Sequence, residues 1–441
     1  MNKQAWIEYA LSKGFESFEI YQSVSEEKRV AWFDHEMSSY VTSHVTGTSF
    51  RGIINGKMAN TASEDVSDDK MEAVISAMID QAANITSEDE VMIRKPEPAE
   101  ETEYVQTWVR PSGAEIQELL KSLEEKILAK DPRIIQVTDL EWEEDTSRRE
   151  ITNSYGMKVE DGTKIQALVA GAAAMENGEV KNDFKVETVH DLAKFDADKF
   201  VNELADSVLS KLGAKGLPSG NYPVIFEKDA MTSLFSVFTG MFSGDLIGKG
   251  ISPLRDKIGE KVFSELVTVM DDPRNQNAAN LANYDDEGCP TKTKTLVDQG
   301  VFKMALHNTQ SAMRMNTEST GNGFKPGYAS PVGVHPMNCY IVPGDKSLDE
   351  LCADMKEGYV ITSLQGLHAG VDFVTTNFSL QSSGYYVKDG NRERSVTLVT
   401  VAANFLELMN KVVAVGNDLE WSYRSVTCPS IAFSECAVAG E

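Results

Sequence analysis

Two Asn-Gly dipeptides, at 55–56 and 177–178, set the first constraint on this fold. Both central positions of a two-residue hairpin turn need a left-handed backbone, which Asn and Gly tolerate, so each dipeptide marks a reversal between antiparallel strands. Strand-like runs precede the first at Glu19–Val24, Arg29–Phe33, Ser39–Ser43 and Thr48–Ile54, and Lys57–Thr61 returns after it. Ile134–Asp145, Arg148–Ser154 and Lys164–Met175 precede the second. Helical spacing brackets each set. Trp6, Ile7, Ala10 and Leu11 share a face within 3–13, and Ser67–Ala83 follows the first hairpin with Ser67 placed as its cap. Gly113–Ala129 and Asp196–Leu212 frame the second set in the same order. The pattern is a duplication. Between its copies, 93–103 (IRKPEPAEETE) is acidic and proline-bearing, and reads as a solvated linker.

A glycine-rich stretch, Gly213–Gly220, marks the main boundary. After it come a strand at Tyr222–Phe226 and an apolar helix at Lys228–Ser243. Strand candidates follow at Val262–Met270, Lys292–Asp298, Val332–Val342, Gly358–Leu364, Phe378–Lys388, Ser395–Ala403 and Ser430–Ala437. Helices are expected at Ser347–Met355 and Asn404–Val412. A chain of 441 residues exceeds one typical core. The expectation is an α+β protein of two domains. Residues 1–215 form a duplicated α/β unit with an antiparallel sheet and helices, and 220–441 form a β-rich, barrel-like domain with helices.

Charge narrows the function. The net charge of −26, with no basic run longer than two residues, repels a phosphate backbone and excludes direct nucleic-acid binding. No apolar run is long enough to span a membrane, and the opening residues lack a signal-peptide core. Five cysteines, without C-x-x-C spacing, fit reduced thiols and a cytoplasmic location.

Local motifs yield little chemistry. Gly244–Gly250 (GDLIGKG) fails as a phosphate loop, because its glycines are too close and no Ser/Thr follows its lysine; a helix C-terminal turn is expected there. His35, Glu36 and His44 lack metal-helix spacing, and His190 and His307 stand alone. His335 and Cys339 fall in one strand-like run, on the same face. His368 lies between Gly366 and Gly370, on an expected exposed loop. Glu141, Glu143, Glu144, Asp145 and Asp285-Asp286-Glu287 read as solvated surface, and no G-x-S-x-G elbow is present.

Several segments, taken in order, resemble one family. They are AWIEYALSKGFESFEIYQS (5–23), GTSFRGIINGKMANTASED (47–65), the helix and glycines of 226–250, GEKVFSELVTVMDDP (259–273), STGN (319–322), GLHAGVDFVTTNFSLQSSGYYVKDG (366–390) and VGNDLEWSYRSVTCPSIAFSECAVAG (415–440). Together they resemble the TldD/PmbA, or modulator-of-gyrase, family over nearly the whole chain. TldD-type members carry HExxxH on this helix and a further cysteine ligand. The matching HExxxH positions here hold Phe235, Ser236 and Gly240, and the loop that bears the cysteine reads Gly366-Leu367-His368-Ala369-Gly370. Zinc needs imidazole or thiolate ligands and a carboxylate to take a proton from bound water. The resemblance therefore implies a PmbA/TldE-type subunit with no catalytic residue, metal or cofactor of its own. Zinc is expected in a TldD-like partner, and His368, Gly366 and Gly370 form a substrate-chamber loop. The implied activity is proteolysis of small or unfolded peptides, such as antibiotic leader segments and a labile antitoxin, by a dimer. Two alternatives stay open: a homodimeric peptide-binding or scaffolding protein, and a self-sufficient hydrolase with a metal site rebuilt around His335, Cys339 and His368.

Overall fold

The computed structural model describes residues 1–98 and 107–440. Part of the expected linker, 99–103, lies outside the described residues.

Both Asn-Gly dipeptides are hairpin turns with positive φ at each position, 51° and 69° at 55–56 and 52° and 84° at 177–178. The N-terminal elements are α1 (Lys3–Ser12), β1 (Ser17–Phe33), β2 (Glu36–Ile54), β3 (Lys57–Ser63), α2 (Met71–Ala83), α3 (Gly113–Lys130), β4 (Ile134–Asn153), β5 (Lys158–Glu176), β6 (Glu179–Thr188) and α4 (Ala197–Ser210). The strands form one antiparallel sheet in the order β3-β2-β1-β4-β5-β6. The two copies of the duplication join along β1 and β4, from Glu19 opposite Asn153 to Ala31 opposite Glu141. The short runs expected at 19–24 and 29–33 are one strand, as are 39–43 and 48–54, and 134–145 and 148–154. The polar residues between them, such as Glu26 opposite His44, continue the ladder while their side chains face solvent. Ser67 caps nothing: its hydroxyl donates to Asp65 at 3.0 Å, and a 3-10 turn at Asp68–Lys70 intervenes before α2.

Helix packing follows the apolar spacing. Ile116, Leu120, Leu123 and Ile127 of α3 and Phe200, Leu204 and Val208 of α4 bury against Leu140, Trp142 and Leu168. A capping box between Ser112 and Glu115 starts α3.

In the C-terminal half, β7 (Gly220–Phe226) runs parallel to Gly358–Gln365 and antiparallel to Ile431–Ala439. Asn377–Lys388 and Asn391–Asn404 extend that sheet, and Asn391–Asn404 also pairs with Ile431–Ala439, closing five strands into a barrel. A second, five-stranded sheet contains Val269–Asp271, Lys294–Asp298 and Cys339–Ile341. The helix α5 (Lys228–Phe238) shares one core with residues of both sheets.

Three expectations change here. Val262–Met270 is strand only at Val269–Asp271. Val332–Val342 breaks into Gly333–Val334 and Cys339–Ile341, with Pro336 and a left-handed Asn338 (φ 59°) between them. Gly244 ends no helix; it opens a short one, Gly244–Gly248, capped by Ser243, and the C-terminal turn falls at Gly250 (φ 72°).

Candidate functional site

Helix α5 presents its residues in two sets. Ala230, Met231, Leu234, Phe235 and Phe238 are buried, whereas Ser233, Ser236, Val237 and the following Gly240 are half-buried along one face. Phe235 packs at 6.3 Å from Phe242 and 6.1 Å from Phe405, and Phe238 stacks on Phe405 at 4.2 Å. Ser236 donates its hydroxyl back to the Thr232 carbonyl at 2.5 Å. Gly240 lies in a 3-10 turn, where an added Cβ would stand 3.3 Å from the ring of Phe373. One position is thus a core ring, one a hydroxyl satisfied within the helix, and one bare backbone under an aromatic.

The loop after Gly358–Gln365 brings the next expected residues. Gly366 is left-handed (φ 85°), and its carbonyl accepts the N–H of Gly370 at 2.7 Å. A Cβ on Gly370 would sit 2.3 Å from the Ser379 carbonyl, so glycine alone fits. His368 is exposed on this turn.

A zinc ion does not fit this arrangement. Phe235 and Gly240 have no ligand atom, and Ser236 is committed within α5. His335 is exposed in the loop between two short strands, whereas Cys339 is fully buried and burial pushes its thiol well up. Cys339 and His335 do not share a strand face, and His335, Cys339 and His368 are not brought together. Among the described residues, no group of three or more His, Cys, Asp or Glu side chains is placed to hold a metal.

The expected solvated acids include a buried set. Asp285, Asp286 and Glu287 are at most 3% exposed, under the N-terminal sheet. Arg51 of β2 pairs with Glu19 at 2.6 Å and Glu287 at 3.1 Å; Arg149 of β4 pairs with Asp161 and Asp286, each at 3.3 Å. Asp285 accepts the N–H groups of Glu287, Cys289 and Gly323, each at 2.9 Å. Burial, with the charge of Glu287, raises its carboxyl to about 7. Lys325 donates to Ser49 at 2.6 Å and to the Tyr328 carbonyl at 2.9 Å, 4.3 Å above the ring of Tyr21. Burial, then Arg51, lowers its ammonium to about 8. Glu144 is likewise buried, held by Lys28 at 3.0 Å and Arg110 at 2.6 Å. Glu141 and Glu143 are partly exposed and Asp145 exposed.

The STGN segment is also structural. Lys294 and Asp271 form an ion pair at 3.0 Å with both side chains at most 1% exposed, and Asn322 bonds both partners at 2.9 Å. His307, expected to stand alone, lies against Gly244, where a Cβ would be 2.0 Å from its ring. His190 stacks on Trp108 at 3.9 Å. No spacing in the sequence signals these contacts.

Comparison with known proteins decides the family. The family model described as the PmbA/TldA metallopeptidase C-terminal domain matches residues 219–440, the central-domain model 108–212, and the domain 1 model 18–85. The chain belongs to the PmbA/TldD metallopeptidase family. Among relatives, the metalloprotease PmbA of Escherichia coli O157:H7 is 25% identical over 325 residues, covering 74% of this chain and 69% of that one. A metalloprotease of Methanocaldococcus jannaschii is 25% identical over 403 residues, covering 90% and 89%. The crystal structure of a putative modulator of a DNA gyrase from Thermotoga maritima superposes with a TM-score of 0.89 at 28% identity over 99% of both chains. TldE from Thermococcus kodakarensis shares the fold, with a TM-score of 0.91 at 24% identity over 99% of this chain and 100% of that one. The family and the α+β, barrel-containing fold expected from the sequence are both found. No helix among the described residues is long and apolar enough to cross a membrane.

Proposed function

We propose that this chain is the non-metallated subunit of a TldD/TldE-type zinc peptidase complex that degrades small or unfolded peptides. The observation that carries the reading is α5: Phe235 is core, Ser236 is bonded within the helix, and Gly240 lies under Phe373. A helix without ligand duty can be packed on its inner side as a strut. Zinc and the proton-accepting carboxylate then come from a TldD-like partner in the cytoplasm. The division into 1–215 and 220–441 belongs to the same reading, with the C-terminal unit facing the partner. The half-buried face of α5 and the loop Gly366–Gly370 would line the chamber wall, His368 at its rim.

The test is co-purification with an HExxxH-bearing companion from the same source, followed by hydrolysis of an unstructured peptide. Activity should appear in the mixture, disappear with a chelator, and be absent from this chain alone. Chelator-sensitive cleavage by this chain alone would overturn the reading.

A further inference from the structure

Lys294 and Asp271 stand opposite each other in the second C-terminal sheet, as cross-strand partners on Lys294–Asp298 and Val269–Asp271. A buried ion pair by itself is an orienting contact. This one has a third member. The STGN loop lies close against Pro290, whose carbonyl is 2.7 Å from the place of a Cβ on the left-handed Gly321 (φ 71°). That close approach delivers Asn322, itself fully buried, to the pair.

The contacts among the three are those of an acyl transfer. Lys294 Nζ lies 2.9 Å from Asn322 Oδ1, so the amide carbon is at most one C=O bond, about 1.2 Å, further away. Asp271 Oδ2 is 3.0 Å from Nζ, the nucleophile, and 2.9 Å from Nδ2, the leaving nitrogen. One carboxylate oxygen thus reaches both ends of a proton transfer. The other, Oδ1, is held by the Met337 N–H at 2.6 Å. The Thr320 hydroxyl donates to Asn322 Oδ1 at 2.8 Å, where negative charge gathers when the amide is attacked. With the Lys294 and Asp271 side chains at most 1% exposed, water does not compete as nucleophile.

We propose that Lys294 and Asn322 join in an intramolecular isopeptide bond, formed by the folded chain itself with Asp271 as proton carrier. Asp271 takes a proton from the Nζ ammonium, and the neutral amine attacks Cγ of Asn322. The Nζ–Cγ bond forms, the Cγ–Nδ2 bond breaks, and Oδ2 hands its proton to the departing nitrogen, which leaves as ammonia. Asp271 then takes the second Nζ proton and ends neutral. No oxidant or further reactant enters, and a buried ion pair, costly to desolvate, gives way to neutral groups. The bond fastens the strand Lys294–Asp298 to the STGN loop. The inference is independent of any metal-bearing partner.

The test is a peptide map of the full chain, digested with trypsin and read by mass spectrometry. The expected product is one branched peptide joining the segments of Lys294 and Asn322. It should be lighter than their sum by one ammonia, with no cleavage after Lys294. The branched fraction should fall by roughly tenfold or more in Asp271→Asn. A thermal melt shows whether that variant is folded, and the wild-type map stands without it. Recovery of both segments as separate linear peptides overturns the proposal, as does a folded Asp271→Asn with an unchanged branched fraction. Loss of water in place of ammonia would overturn it too, placing the bond on Asp271. So would ammonia lost only at Asn55-Gly56 or Asn177-Gly178, the mark of a succinimide in those turns.

Discussion

Helix α5 and the acidic segment Asp285–Glu287 differ in how far their sequences foretell them. In the proposed reading the helix stands where a catalytic subunit carries its metal motif; in the structure its inner side is aromatic core. The acidic segment looks like solvated surface and is a buried lattice of carboxylates, guanidinium groups and an ammonium tying the N-terminal sheet to the C-terminal half. The contrast teaches that one set of buried ionisable groups in this chain lies where the two halves must register. A buried ion pair offers orientation more than net stability, but losing one partner is costly because the other charge stays buried.

The strongest way to break this comparison is Arg51→Met. It strands Glu19 and Glu287, and a loss of about 3–5 kcal/mol by urea denaturation is expected. A change under about 1 kcal/mol would mean the seam is not a cross-link. Gly244→Ala should follow, at about 1–3 kcal/mol, since its methyl meets the buried His307 ring. The matched Gly240→Ala meets only the edge of Phe373 at 3.3 Å and should fall well below that.

The seam should also give stability a shape in pH. Asp285 titrates near 7 in the fold against an ordinary aspartate value of 3.8, so its contribution is full below 3.8 and lost as pH rises through 7. Lys325 titrates near 8 against an ordinary 10.5; between those values the unfolded chain binds more protons, so stability rises with pH there. Glu227 and the thiols of Cys289 and Cys436 are also raised by burial and lose their contribution as pH rises, so unfolding free energy measured from pH 4 to 10.5 should fall, and Lys325→Met should steepen the fall between 8 and 10.5. A fall that is no steeper in Lys325→Met would contradict the role given to Lys325. The smallest effect belongs to His368→Ala, which should move stability by less than about 0.5 kcal/mol because the ring is exposed on a turn.

What was legible in the sequence was local. Asn55-Gly56 and Asn177-Gly178 specify their turns through their own backbone, and Ser347 with Glu350 starts the helix Leu348–Met355 by a capping box within one turn. Barrel closure was only coarsely legible, because it pairs β7 with segments more than a hundred residues away. The acids were misread for the same reason: Arg51 and Glu287 are 236 positions apart. For Glu144 a cue existed, since it alternates with the buried Trp142 on the inner face of β4. The apolar character of α5 was legible too, since Met231, Leu234, Phe235 and Phe238 recur at helical spacing and are buried.

The central claim is that this chain carries no catalytic zinc of its own. The most direct measurement is metal content, by mass spectrometry, of the untagged chain purified alone without chelator. The expected result is less than about a tenth of an equivalent of zinc, since a closed protein site would bind tightly at neutral pH. About one equivalent, lost on His368→Ala or Cys339→Ala, would contradict the claim and make this chain a metallopeptidase in its own right.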